Sequence, residues 1–258
     1  LKVNSSQSFS KKMQQTNEIK KLLKNDEKKL VIFKKKNKKQ LKTKKDIFDK
    51  HPLRLFFGKL FVFISYLLFY PLIKIKYRLK IENKNIKKMV KGKGAIIVMN
   101  HSSELDGAVL VFQMLPRRTW VTVPEFVASR RLSTIPFPQD LANMRAFKEV
   151  ISERLEKKQL ISFFPEITPS DNIQTIRPFK NGAFRFAVQN NVPILPCAIC
   201  FKPRKQKKNI AKKYRATLCF FEPIHPNLNI NETEAIEEMK VKTHSLISER
   251  VEKNVTMK

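Results

Sequence analysis

The stretch Ala95-Ile96-Ile97-Val98-Met99-Asn100-His101-Ser102-Ser103-Glu104-Leu105-Asp106-Gly107-Ala108-Val109-Leu110 decides the fold class. An apolar run rich in β-formers meets a polar corner and passes into a helical pattern. Such a corner puts side chains at the carboxyl edge of a sheet, where open α/β folds place their active sites. One histidine stands there, with a carboxylate five residues further on. On a regular helix, positions five apart point about 140° away from each other. His101 and Asp106 therefore meet only if His101 lies in the loop and Asp106 in the first helical turn. Ser103 to Asp106 reads as Ser-x-x-Asp, a variant of the capping box, which predicts a helix starting at Ser103. Taken alone, the pair has two readings: a general base with its partner, or a loop histidine beside an aspartate that caps the helix and complements its dipole.

Outward from this corner, the pattern from Leu79 alternates. Strands are predicted over 79–82, 94–99, 119–123, 160–164, 194–201 and 216–221. Helices are predicted over 103–114, 125–133, 140–157, 180–190 and 232–252. Leu141, Met144, Phe147, Ile151 and Leu155 form one helical face, and Ile236, Met239, Ile247 and Val251 lie on or near the apolar side of the last helix. Alternation of this kind predicts an α/β sandwich around a largely parallel sheet, occupying 79–258. The segment 202–213 reads as a basic loop.

Two further regions precede this domain. Residues 1–50 are polar and crowded with lysine, which predicts a flexible extension outside the core. Residues 51–78 are the opposite: Leu53 to Ile73 is almost continuously apolar and aromatic, interrupted by Arg54 and Lys59 and flanked by basic residues on both sides. The run just reaches the ~20 residues a spanning helix needs. A helix lying in one leaflet beside anionic head groups fits the flanks at least as well as a span, because the charges show no asymmetry.

The chain has 258 residues, a formal net charge of +31 and three cysteines. A/T-rich coding would produce the lysine excess without any partner. The functional readings of that charge are an anionic membrane surface, nucleic acid or acidic substrates, of which nucleic acid is the least expected here. Few cysteines predict a reducing compartment and no disulfide framework. With the first long apolar run beyond residue 50, no secretory signal is expected. Cys197-Ala198-Ile199-Cys200 has metal-site spacing, but it lies in a predicted strand, where residues three apart face opposite sides. Core packing is the reading for Cys197, Cys200 and Cys219, and no metal is expected. His51, His225 and His244 read as structural or exposed.

A second strand runs into a polar turn at Phe163-Phe164-Pro165-Glu166-Ile167-Thr168-Pro169-Ser170, followed by the basic turn Arg177-Pro178-Phe179-Lys180-Asn181-Gly182-Ala183-Phe184-Arg185. If both corners share one sheet edge, a base, a carboxylate and a cationic patch converge there. That combination suits an anionic acceptor whose hydroxyl must lose a proton.

Asn100 to Asp106 resembles the N-H-(four residues)-D motif of the glycerolipid acyltransferase family, which includes the lysophosphatidic acid acyltransferases. Phe164 to Ser170 resembles its F-P-E-G-T-R-S block, Phe179 to Phe184 its F-K-x-G-A-F block, and Val192 to Ile199 its V-P-I-x-P-V-A-I block. The four blocks stand in the family's order over roughly residues 80–222. The resemblance implies a glycerol-3-phosphate acyltransferase-like α/β sandwich with an N-terminal membrane-associated helical element. It also implies an enzyme of phospholipid synthesis, with its site facing the cytoplasm. Its reaction would be O-acyl transfer from acyl-CoA or acyl carrier protein, as co-substrate and with no further cofactor, to the hydroxyl of a lysophospholipid such as lysophosphatidic acid. By the same resemblance His101 is the general base and Asp106 its orienting partner, Glu166 and Thr168 match acceptor positions, and Lys180 contacts phosphate. Ile167 and Pro169 depart from the family's Gly and Arg. Proline cannot hold a phosphate, and Arg177 or Lys180 would have to compensate. The family's Gly-rich, arginine-ending segment is also missing, and Ile135 to Asp140 reads as a shortened loop in its place. A different lysolipid or alcohol acceptor is the nearest alternative. A non-catalytic basic protein binding a membrane surface or nucleic acid is the more distant one.

Overall fold

The computed structural model describes residues 52–103, 105–124, 133–138, 141–166, 176–203 and 214–256. The expected extension 1–50, the helix expected over 125–133 up to residue 132, and positions 204–213 of the basic loop lie outside the described residues. A long helix α1 (Pro52–Tyr77) comes first and leads into strand β1 (Lys80–Glu82). Then come a 3₁₀ turn (Lys84–Val90), β2 (Ala95–Met99), α2 (Asp106–Met114), β3 (Thr119–Pro124) and β4 (Thr134–Phe137). After these follow α3 (Leu141–Glu156), β5 (Leu160–Phe163), α4 (Gly182–Gln189), β6 (Ile194–Pro203), β7 (Tyr214–Phe220) and α5 (Glu232–Thr256).

The strands form one sheet in the order β1-β7-β6-β2-β5-β3-β4. The ladders β2 to β6, β2 to β5, β5 to β3 and β3 to β4 are parallel, and so is β1 to β7. Only β6 and β7 pair antiparallel, as neighbours joined by a return of the chain. The predicted α/β class and largely parallel sheet are therefore what the chain folds into.

β2 lies in the middle of this sheet and shows why the sequence folds this way. All five of its side chains are excluded from solvent, as expected of a parallel strand covered on both faces. Ile96 and Val98 enter an apolar layer with Phe147, Ile151, Phe184 and Ile247 from α3, α4 and α5. Ala95, Ile97 and Met99 enter the opposite layer with Leu110 and Phe112 of α2 and Ile73 and Tyr77 of α1. The strand's two-residue alternation thus divides the core into two layers. Cys197 belongs to one and Cys200 to the other, and all three cysteines are free and buried, as packing residues. Gly94 precedes β2 where a Cβ would run into the Leu155 carbonyl oxygen, so the strand enters against the backbone of the last turn of α3.

Three expectations are corrected. The helix expected at Ser103 begins at Asp106. Ile135 to Asp140, read as a loop, contains strand β4, whose Ile135 and Pro136 stand opposite Thr122 and Val123 of β3. The last helix runs four residues further than expected, to Thr256. It starts at Asn231, whose side chain accepts the Glu234 N–H at 2.9 Å, with Glu232 and Glu234 in the first turn.

Helix α1 is long and apolar enough to cross a membrane by length and composition. One side of it packs on the α/β core along its whole length. The Arg118 guanidinium donates to the Leu55 carbonyl, Val62 joins Val111 and Val121, Tyr66 and Tyr70 meet the Phe112 ring edge-on, and Tyr77 meets Phe201. On the other side Phe56, Phe57, Leu67, Leu68 and Leu72 are each at least half exposed.

Candidate active site

The corner after β2 is organised by Asp106. Its carboxylate, 1% exposed, reaches back from the first residue of α2. Oδ2 accepts the Ser102 N–H at 2.7 Å and the Ser103 N–H at 2.8 Å, and lies 3.2 Å from His101 Nδ1. This explains the later helix start. The aspartate acts as the backward-reaching half of a capping box, as the sequence predicts, but the turn it closes lies outside the helix. Ser103 Oγ accepts the Leu105 N–H, at 3.3 Å. Because the loop carries His101 and the first turn carries Asp106, the two side chains meet despite the spacing of five. The imidazole stacks on Phe164, ring centres 4.4 Å apart at 29°, and its side chain keeps 18% exposure.

Asn100 fastens the other side of the corner. Its Nδ2 donates to the Ile199 carbonyl at 2.9 Å and its Oδ1 accepts the Ile199 N–H at 2.8 Å. The side chain thus continues the β2 to β6 ladder one step past Met99 and Cys197. Nδ2 also lies 3.2 Å from Ser102 Oγ. The sequence reading assigned Asn100 no task, although an asparagine directly after a fully apolar strand marks a place where backbone groups need a side-chain partner.

Glu166, at the corner after β5, is nearly buried and joins two loops. Oε1 accepts the His101 N–H at 3.0 Å and Oε2 accepts the Arg177 N–H at 3.1 Å. Burial pushes its pKa up to about 7, against the pull of these two donors and of the Arg177 and His101 charges. The Lys180 N–H adds a bond to the Pro165 carbonyl at 3.2 Å. The two sequence corners and the basic turn therefore converge on one sheet edge, as expected. Within that convergence the Glu166 carboxylate braces backbone. Arg177 is also buried, while the Lys180 side chain is exposed. His244 of α5 secures the same turn: its ring meets Phe179 edge-on at 4.8 Å and bonds the Arg177 backbone. Thr168, Ile167 and Pro169 lie outside the described residues.

Chemically, the corner offers an imidazole fixed at Nδ1 by a buried carboxylate, against an apolar ring, with an exposed ammonium on the adjoining turn. That set suits removal of a proton from a hydroxyl.

Residues 78–200 match a family model described as Acyltransferase. An uncharacterized acyltransferase of Schizosaccharomyces pombe is 32% identical over 135 residues, 48% of this chain and 48% of that protein. Human 1-acyl-sn-glycerol-3-phosphate acyltransferase beta is 29% identical over 133 residues, 48% of this chain and 47% of its own. The match thus spans about half the length of these curated relatives. Among solved structures, the 1-acyl-sn-glycerophosphate (LPA) acyltransferase PlsC from Thermotoga maritima superposes with a TM-score of 0.54 at 19% identity. It covers 78% of this chain and 79% of that one, a likeness of fold.

Proposed function

We propose that the chain, which matches the Acyltransferase model over residues 78–200 and is similar to lysophosphatidic acid acyltransferases, is a member of the glycerolipid acyltransferase family, and that it transfers a fatty acyl group from acyl-CoA or acyl carrier protein to the hydroxyl of a lysophospholipid. The observation that carries this reading is the His101 and Asp106 pair, 3.2 Å apart at the carboxyl edge of β2 within the matched segment. In the neutral imidazole Nδ1 holds the proton toward Asp106, so Nε2 is the basic nitrogen. Nε2 takes the acceptor's hydroxyl proton as its oxygen attacks the thioester carbonyl. The tetrahedral intermediate then collapses, the C–S bond breaks, and the thiolate leaves with the proton that the imidazolium returns. No acyl-enzyme forms. A general base so placed contributes about 10²- to 10⁴-fold.

The outer face of α1 supports attachment to a membrane. The packing of the opposite face on the α/β core from Leu55 to Tyr77 favours a helix lying in the plane of one leaflet over one that crosses it. Lysophosphatidic acid is the first acceptor to test, giving phosphatidic acid. The burial of Arg177, together with Pro169 in place of a phosphate-holding arginine, favours a second reading with a lysolipid of another head group.

The test is product formation by the purified protein with each donor and a panel of lysolipids, lysophosphatidic acid among them. Turnover is expected to fall at least 10²-fold in His101→Ala. Wild-type turnover in His101→Ala would remove the proposed base, and no product from any acceptor would remove the acyltransferase reading.

A further inference from the structure

At the amino-terminal edge of the sheet, away from His101, a second site lies between α1 and the α/β core. The edge is defined by Arg117, whose guanidinium donates to the carbonyls of Val90, Lys93 and Lys158 in the loops that enter β2 and β5. α2 returns from the His101 corner to this edge, and its Val111, Phe112 and Gln113 form one wall of a cavity of about 720 Å³. The other wall is a stripe of α1 at three- and four-residue spacing: Lys59, Val62, Tyr66, Tyr70 and Lys74. Tyr66 and Tyr70 stack with ring centres 5.0 Å apart, and the Tyr70 hydroxyl accepts from Gln113 at 2.7 Å. The wall is therefore apolar with polar tips, a character suited to a bilayer boundary.

Charge completes the description. Lys84 and Lys87 of the 3₁₀ turn, Arg117 and Arg118 also line the cavity, and among the described residues no carboxylate does. Burial lowers the Lys87 pKa, with the neighbouring Lys84 charge adding to the effect, and a bound anion would offset that repulsion. Apolar walls with cations at the rim fit a molecule with acyl chains and a negative head group. The exposed apolar face of α1 indicates where such a molecule would come from. We propose that this cavity binds one anionic phospholipid of the leaflet in which α1 lies, its phosphate toward Lys74 and Lys84 and its chains against Val62, Val111 and Phe112. The site is separate from the catalytic corner and needs neither His101 nor the acyltransferase reading.

Calorimetric titration of the full chain with monomeric dihexanoyl phosphatidylglycerol tests it, because a short-chain lipid does not report on bilayer adsorption. We expect saturable binding at one site. Dihexanoyl phosphatidylcholine is expected to bind at least tenfold more weakly. Lys74→Gln with Lys84→Gln, both at exposed positions, is expected to weaken phosphatidylglycerol binding about 30-fold while melting like the wild type. His101→Ala is expected to bind as the wild type does, whatever its turnover. Equal affinity for the two head groups, wild-type affinity in the double variant, or displacement of the lipid by saturating acyl-CoA would each overturn the proposal. The last would assign the cavity to the catalytic site.

Discussion

At the residue scale, the site depends on two carboxylates that do different work. Asp106 faces three donors, two of them backbone, and Asp106→Asn removes the charge they meet. All three meet the one oxygen Oδ2, so an amide oxygen in its place still accepts the Ser102 and Ser103 N–H groups, but without the charge that strengthens those bonds and holds the imidazole. Turnover is expected to drop on the order of 10²-fold or more, and stability by about 1 kcal/mol for the lost charge assistance on two buried N–H groups. Kinetics and chemical denaturation check the two parts separately. Glu166 makes a different prediction. Its folded pKa of about 7 stands above the ordinary 4.5. Folding therefore favours its protonated form, and the associated stability, complete below the unfolded value, is lost as pH rises through the folded one. The unfolding free energy of the wild type minus that of Glu166→Gln is expected to fall between pH 5 and pH 8. A flat difference would show that the carboxyl does not titrate there. The Ser-x-x-Asp pattern made the backward reach of Asp106 legible. The bracing role of Glu166 was not legible, because its donors lie 65 and 11 residues away along the chain, and no local pattern encodes such a meeting.

At the scale of elements, the alternation of strand and helix was legible because each central strand is an unbroken apolar run between polar turns. β4 escaped because Pro136 removes a backbone donor and reads as a strand breaker. The sheet order explains how it is tolerated: among the described residues β4 pairs only with β3 and forms the sheet margin, where a missing donor on the open side costs nothing. Two substitutions test the joins between elements. Asn100→Ala leaves the Ile199 N–H and carbonyl without their side-chain partner inside the sheet, and a loss of about 2 to 4 kcal/mol is expected on denaturation. Gly94→Ala runs a methyl into the Leu155 carbonyl oxygen and must push strand and helix apart, at about 1 to 3 kcal/mol. Loss of activity in Gly94→Ala is expected to follow its lower melting temperature, whereas Asp106→Asn should lose activity at temperatures where it is fully folded.

At the scale of the molecule, one sheet edge carries the His101 corner, the opposite edge carries a cationic cavity, and one face of α1 is apolar and exposed. The stretch in residues 51–78 was legible as one long apolar element. Which side of it remains outward was not, since that depends on Tyr66, Tyr70 and Ile73 finding Phe112 and the core. Leu67→Asp with Leu68→Asp alters only the outward side. Co-sedimentation with neutral phosphatidylcholine vesicles is expected to weaken at least tenfold, from the ~1.5 to 3 kcal/mol that each buried leucine contributes, with the melting temperature unchanged. Vesicle binding equal to wild type would place another surface against the bilayer.

The margins of the sheet carry a last consequence. It ends on one side in β1, three residues long, and on the other in β4, four residues with a proline among them. Proteins gathered on a lipid surface meet one another far more often than in free solution, and an open strand margin is the usual seed of cross-chain pairing and aggregation. Margins this short, one of them lacking a donor, offer a neighbouring copy little ladder to extend. At the lipid surface proposed for α1, the described strands therefore let copies of the chain crowd in two dimensions without the sheet becoming a template.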